Sequence, residues 1–361
     1  MTPRDPVDEA DEETFPASDA PPFSGTHAGT PVDRALHILV AVARASVTDP
    51  APFRAALARF EGRVALTFAA GDDFERALPD ADVIVAQDLS DADVARASRL
   101  RWFSSVAAGL DGIATPALLA RGVAITNASG VHGPNIAEHL LAMILMFTRE
   151  MPRLYRAQLA RRWERNARSR TDGAGELTGK TLLIVGLGRI GEALAARARP
   201  FGVRLVALKH DPSARHDPGV PVDELLPLAA LDDALGRADH VCLTVPLTKE
   251  THHLIDARRL ARMRAGAFIY NISRGAVIDE AALIDALRAG RLAGAGLDVY
   301  EEEPLPATSP LWDLENVILT PHVAGLTPLY FERTAALFAD NLERFLAGRP
   351  LANRFDPARG Y

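Results

Sequence analysis

Cysteine is almost missing from this chain: Cys242 is the only one among 361 residues. A lone thiol cannot close an internal disulfide, so a reducing, cytoplasmic setting is expected. It sits in the apolar run His240-Val241-Cys242-Leu243-Thr244-Val245 and reads as a small buried hydrophobe rather than a reactive group. Long hydrophobic runs are missing too. No apolar stretch approaches the roughly 18–20 residues of a membrane span, and nothing near Met1 has the pattern of a signal peptide. The longest apolar block, Leu140 to Phe147, suits a buried helix, so no membrane association is expected. Basic charge is not in excess either, with 40 Lys and Arg against 47 Asp and Glu, and no basic stripe suggests a nucleic-acid partner.

The net charge of −7 is unevenly spread. Residues 1–32 hold Asp5, Asp8, Glu9, Asp11, Glu12, Glu13 and Asp19 against Arg4 alone, a charge of −6 that leaves −1 for the rest. That segment is also rich in proline and poor in aliphatic residues. It cannot bury enough surface to offset the entropy of ordering, so a disordered acidic tail is expected over 1–32. Beyond it, a hydrophobic content of 48% and a charged content of 24% fit an ordinary globular protein, long enough for two domains.

From residue 36 onward, short apolar runs alternate with amphipathic stretches. Strands are predicted at 36–43, 82–86, 102–106 and 123–126, and then at 181–185, 203–208, 240–245, 267–271, 294–297 and 317–319. A helix is predicted over 135–149, with Asn135 as its cap and Glu138 completing a capping box. Continuously apolar strands separated by helices imply an α/β fold with parallel sheets covered on both faces.

Four strand ends carry the chemistry. Thr181-Leu182-Leu183-Ile184-Val185 runs directly into Gly186-Leu187-Gly188-Arg189-Ile190-Gly191, then into a helical segment and a second strand. In that context the glycines suit a dinucleotide loop. Gly186 permits a tight turn, Gly188 lets a pyrophosphate approach, and Gly191 allows helix and strand to pack closely. Asn271-Ile272-Ser273-Arg274-Gly275, Asp298-Val299-Tyr300-Glu301-Glu302-Glu303-Pro304 and Thr320-Pro321-His322-Val323-Ala324-Gly325 each follow a later strand. The carboxyl ends of parallel strands border the ligand crevice. An arginine there can bind a 2-oxo acid through its fork of donors. A histidine can protonate the carbonyl oxygen as hydride reaches carbon, and a carboxylate behind the ring favours its charged form. Among the three adjacent glutamates only spacing favours Glu303.

These motifs, with Pro246-Leu247-Thr248, resemble the D-isomer-specific 2-hydroxyacid dehydrogenase family, of the glyoxylate/hydroxypyruvate reductase kind, from about residue 80 to the C-terminus. The resemblance implies two Rossmann-like parallel-sheet domains, the nucleotide-binding one (139–319) inserted into a substrate-binding one (33–138 and 320–361). It implies hydride transfer between NAD(P)H and a small 2-oxo acid, and homodimers. By position, Arg274 would bind substrate, His322 would be the acid/base and Glu303 its partner. Ala107, Ala108 and Gly109 would hold the substrate carboxylate, although the family often has more glycine there. The cofactor would meet Gly186, Gly188, Arg189, Ile190, Gly191, Lys209, His210, Val245, Pro246, Ile272, Ser273, Arg274, Asp298, His322 and Gly325. No metal is implied.

Cofactor choice rests on the end of the second strand, where NAD-binding folds place a carboxylate for the ribose hydroxyls. Here Lys209 stands there, followed by His210 and, further on, Arg215, so NADP(H) is favoured. Asp211 complicates this, because a two-residue shift would restore an acid, and NAD(H) stays open. Two alternatives share the fold. A formate-type dehydrogenase is expected to carry an amide where Glu303 stands, and a catalytically idle corepressor-like protein would bind NAD(H) only for assembly.

Overall fold

The computed structural model describes residues 34–41, 50–109, 113, 115–163, 175–213 and 219–357; the acidic tail expected over 1–32 and Arg215 lie outside them. The chain forms two wholly parallel sheets. The first contains β1 (Leu36–Ala41), β2 (Val64–Phe68), β3 (Val83–Ala86), β4 (Trp102–Ser105) and β5 (Ala124–Thr126), in the order β2-β1-β3-β4-β5. The second contains β6 (Thr181–Val185), β7 (Arg204–Lys209), β8 (Glu224–Pro227), β9 (His240–Leu243), β10 (Phe268–Asn271), β11 (Gly294–Leu297) and β12 (Val317–Leu319), ordered β12-β11-β10-β9-β6-β7-β8. This is the α/β architecture expected from the alternating pattern, with two Rossmann-like sheets.

Alternate residues of each strand feed separate cores. Along β1, Ile38 and Val40 enter one core with Phe338 and Trp102, while Leu39 and Ala41 enter the other. In β9, Val241 and Leu243 face one side and Cys242 the other. Cys242 is fully buried, and burial pushes its thiol up, which fits an inert hydrophobe.

The sequence pattern does not reveal two of the strands, β2 and β8, and both are sheet edges. Their residues are mostly half-buried: β8 has only Leu225 and Leu226 between Glu224 and Pro227, and in β2 the run Val64-Ala65-Leu66 stops at Thr67, too short to tell a strand from a helical segment. The predicted capping box at Asn135 is also wrong. The helix runs Gly133–Thr148, with His132 at the cap position and proline in its first turn. Proline supplies a preset φ and needs no amide partner there. Asn135 is therefore inside the helix, with its side chain engaged elsewhere. The domain boundary expected between 138 and 139 falls within this continuous helix.

Two crossovers join the sheets. The chain leaves β5 and enters helix Gly133–Thr148, whose Ile136, Leu140 and Ile144 pack on the seven-stranded sheet. It returns after β12 through helix Tyr330–Leu346, whose Phe338 stacks on Trp102 of the first sheet at 4.8 Å between centroids. The crossovers touch. Arg333 Nη1 donates to Val131 O and to Asn135 Oδ1, both at 3.2 Å, and the His132 ring stacks on Tyr330.

Candidate active site

The glycine loop leaves β6 with Gly186 at φ +107°. A side chain there would lie 2.8 Å from Val245 Cγ1 and 3.0 Å from the Thr244 backbone, so only glycine fits. Thr244 Oγ1 donates to Gly186 O at 2.7 Å and ties this turn to the end of β9. Gly191 sits against Gly186 O, 2.6 Å from where a Cβ would stand, which lets the helix Arg189–Ala198 press onto its strand. Gly188 differs: a Cβ added there would meet no described atom within 4 Å. Open space above the first turn of a helix, with its unpaired amides, suits a diphosphate.

The neighbouring strand ends are built by local side-chain bonds. After β10, buried Asn271 accepts from Ser273 N and Oγ and donates from Nδ2 to Arg274 O at 2.9 Å, shaping the turn that carries Arg274. Gly275 then lies directly on the peptide between Tyr300 and Glu301, where a Cβ would be 1.8 Å from Tyr300 C. That contact holds the Arg274 turn against the segment bearing Glu303. Tyr300 N donates to Glu303 Oε1 at 3.0 Å, fixing one oxygen of that carboxylate.

The other oxygen of Glu303, Oε2, lies 2.7 Å from His322 Nδ1. His322 has φ +53°, a left-handed conformation that costs a non-glycine residue about 1–3 kcal/mol. Asp298 holds it there. The Asp298 carbonyl accepts from His322 N at 2.9 Å, and its carboxylate accepts from Val323 N, Ala324 N and Thr320 Oγ1. The carboxylate is buried, so each of those bonds replaces water that is not there. Tyr300 OH, with one proton to give, donates to Thr320 O at 2.9 Å and has Leu297 O at 3.1 Å, bracing the same turn, and burial pushes its phenol up, which keeps it a donor.

The structure thus brings Glu303 and His322 into direct contact and holds the Arg274 turn against the Glu303 segment. Asp298 faces the His322 turn as a clamp. The loop of Ala107, Ala108 and Gly109 is fixed through its carbonyls: Ala107 O accepts from Ala128 N, and Ala108 O from Asn127 Nδ2. Among the described residues, no backbone acceptor takes the amides of Ala108 and Gly109. The loop connects to the second crossover where Tyr330 OH donates to Val106 O at 3.2 Å. Ile272 and Ser273 are buried beside Arg274, and Val245 is buried where Pro246 is exposed. Gly325 lies beside His132. Arg189 and Ile190 form the first turn of the glycine-loop helix. Lys209 ends β7, and the exposed His210 has Glu250 at 4.0 Å.

The sequence offered Asn135 only as a helix cap and assigned no supporting role to Asn271, Thr244 or His139, whose Nε2 lies 3.0 Å from Thr320 Oγ1. Asn two residues before Ser is a recognisable turn signal. Two polar residues four apart on an apolar helix are another.

A glycine turn of this build and a histidine–carboxylate pair, both at the carboxyl ends of one parallel sheet, define a dinucleotide-dependent α/β oxidoreductase. Comparison with known proteins narrows this. Residues 141–324 match the model of the D-isomer specific 2-hydroxyacid dehydrogenase NAD binding domain. A glyoxylate reductase of Thermofilum pendens is 38% identical over 273 residues, 74% of this chain and 79% of that protein. A D-isomer specific 2-hydroxyacid dehydrogenase of Xanthobacter autotrophicus, solved with NADPH and MES, superposes with a TM-score of 0.74 at 29% identity, covering 91% of this chain and all of that one. An NADPH-dependent glyoxylate/hydroxypyruvate reductase of Sinorhizobium meliloti, solved with NADP and sulfate, also gives 0.74, at 28% identity over 90% of this chain and all of that one. The chain belongs to the D-isomer specific 2-hydroxyacid dehydrogenase family.

Proposed function

We propose that this enzyme reduces a small 2-oxo acid to the D-2-hydroxy acid with NADPH. The observation that carries the reading is the 2.7 Å bond between Glu303 Oε2 and His322 Nδ1. With Nδ1 so engaged, Nε2 is the ring nitrogen left to exchange a proton. The bound nicotinamide supplies the hydride. Arg274 holds the carboxylate and oxo oxygens of the substrate, and the amides of Ala108 and Gly109 receive the carboxylate from the other side. His322 Nε2 gives its proton to the carbonyl oxygen, and Glu303 stabilises the ring while it is charged. A carboxylate bonded to the histidine disfavours the formate-type alternative, whose chemistry needs no general acid. The Glu303–His322 pair, with Arg274 on a turn packed against the same segment, disfavours an idle binding protein.

In this reading the seven-stranded sheet carries the cofactor and the five-stranded sheet the substrate loop, with the inserted domain near 139–319. A cytoplasmic setting accords with the buried free thiol of Cys242 and with the use of a reduced pyridine nucleotide. His322→Ala is expected to lower kcat by roughly 10²–10⁴-fold in an absorbance assay with glyoxylate, while cofactor binding persists. Near wild-type turnover would refute the assignment.

The preference for NADPH rests on Lys209 and His210 at the end of β7. Asp211, the competing acid, is turned into its own loop, where Oδ1 accepts from Ser213 N at 2.9 Å and Ser213 Oγ at 2.6 Å. Two of the related structures were solved with NADPH or NADP. A 2'-phosphate gains from cations at this position and would be repelled by a carboxylate. Wild-type kcat/KM should therefore be higher with NADPH than NADH, and Lys209→Asp should selectively depress the NADPH value. A wild-type preference for NADH contradicts it.

A homodimer is supported by the helix Met151–Leu159. Met151, Tyr155 and Leu159 recur every four residues with 49%, 57% and 66% exposure, and Trp163 follows at 93%. An apolar stripe of that size is costly to leave in water. Sedimentation should give about twice the 38.8 kDa chain mass, reduced toward one chain by Leu159→Glu. A wild-type monomer would exclude the dimer.

A further inference from the structure

Helix Gly133–Thr148 directs two polar side chains, one turn apart, to the segment that carries His322. Asn135 Nδ2 donates to Ala324 O at 2.7 Å. His139 Nε2 lies 3.0 Å from Thr320 Oγ1. The Thr320 hydroxyl gives its single proton to Asp298 Oδ1 at 2.6 Å, so at this oxygen the histidine must be the donor. Nε2 also comes within 3.9 Å of Asp298 Oδ1 itself. The two anchors, Thr320 and Ala324, bracket His322.

The same helix reaches the glycine loop. Its first residue, Gly133, sits where a Cβ would stand 3.2 Å from Arg189 O, and its Ile136, Leu140 and Ile144 are buried with Leu187 and Leu194 of the glycine loop and its helix. One rigid element therefore contacts the first turn above the phosphate site and the turn that bears the proton donor. Its rotation and rise set how far one lies from the other. The side chains of Asn135 and His139 bond to Ala324, Thr320 and Arg333, not to Glu303 or the imidazole of His322, so they act on the turn and not on the reacting atoms.

We propose that His139 is a positioning residue for the reduction, holding the His322 turn at a fixed distance from the cofactor site through Thr320 and Asp298, with Asn135 as the second anchor. The proposal rests on the acid/base role of His322. Reaction rates fall steeply when a reacting group shifts, by about 10²-fold for an ångström. A donor that locates the turn should therefore show itself in kcat and leave cofactor affinity alone. The competing view is that His139 merely satisfies a half-buried hydroxyl and contributes only stability.

The test compares His139→Leu, His139→Gln and Thr320→Val with wild type, using glyoxylate and NADPH, with cofactor Kd from fluorescence and Tm from thermal melts. His139→Leu is expected to lower kcat by about 10–100-fold with Kd for NADPH changed less than about twofold. Glutamine, whose amide can still donate to Thr320, should recover most of that loss. Thr320→Val removes both this link and the hydroxyl's bond to Asp298, so its kcat should fall at least as far as that of the leucine variant, and a wild-type kcat there overturns the proposal even if His139→Leu does not fold. The proposal is overturned if His139→Leu keeps wild-type kcat, or if Gln and Leu are equally impaired. His322→Ala is assayed alongside. Full activity there would remove the acid/base reading itself, whereas an impaired His322→Ala beside an unimpaired His139→Leu removes only the positioning role.

Discussion

The buried carboxylate of Asp298 is the constraint on which the site depends. It replaces its hydration with three donors from one short segment, Thr320 Oγ1, Val323 N and Ala324 N, while its own carbonyl takes His322 N. A carboxylate removed from water is tolerable only when its oxygens are so occupied. The bonds run both ways. They satisfy the charge, and they fold residues 320–324 around it tightly enough to keep His322 at positive φ. That backbone conformation, unfavourable in isolation, delivers Nδ1 to Glu303.

The remaining contacts fix the other groups relative to that turn. Gly275 brings the Arg274 turn onto the Tyr300–Glu301 peptide, and Tyr300 N fixes Glu303, so the Arg274 turn and the Glu303 carboxylate are held by one stretch of backbone. The glycine loop is secured to β9 by Thr244. The crossovers, joined by Arg333 and by the stacking of His132 on Tyr330, connect this assembly to the loop of Ala107 and Ala108 on the other sheet. Preorganisation of this kind spares the chain the entropy of assembling the site at the moment of reaction.

Much of this was legible in the sequence because interior parallel strands leave a direct mark. Runs such as Thr181–Val185 and His240–Leu243 are apolar on both faces, and the motifs fall where such runs stop. The edge strands β2 and β8 were not legible, since apolar runs of two or three residues, Leu225-Leu226 and Val64–Leu66, do not tell a strand from a helical segment. Asn135 misled for a different reason. Local rules offer an asparagine near a helix start as a cap, but its partner, Ala324, is 189 residues away. Asp298 presented a similar difficulty: its place at a strand end was readable, while its role as a clamp depends on a turn that only the fold brings near.

The most direct test of this account is to replace Asp298 by Asn and measure kcat alongside the Kd for NADPH. Asparagine keeps the size but presents an NH₂ group where the carboxylate accepted from backbone amides, so one donor must face another. The account predicts a fall in kcat of about 10²-fold, as expected for a displaced acid, with cofactor affinity within a few-fold of wild type. Turnover equal to that of the unaltered enzyme would show that the His322 turn holds its shape without the clamp, and would contradict the account.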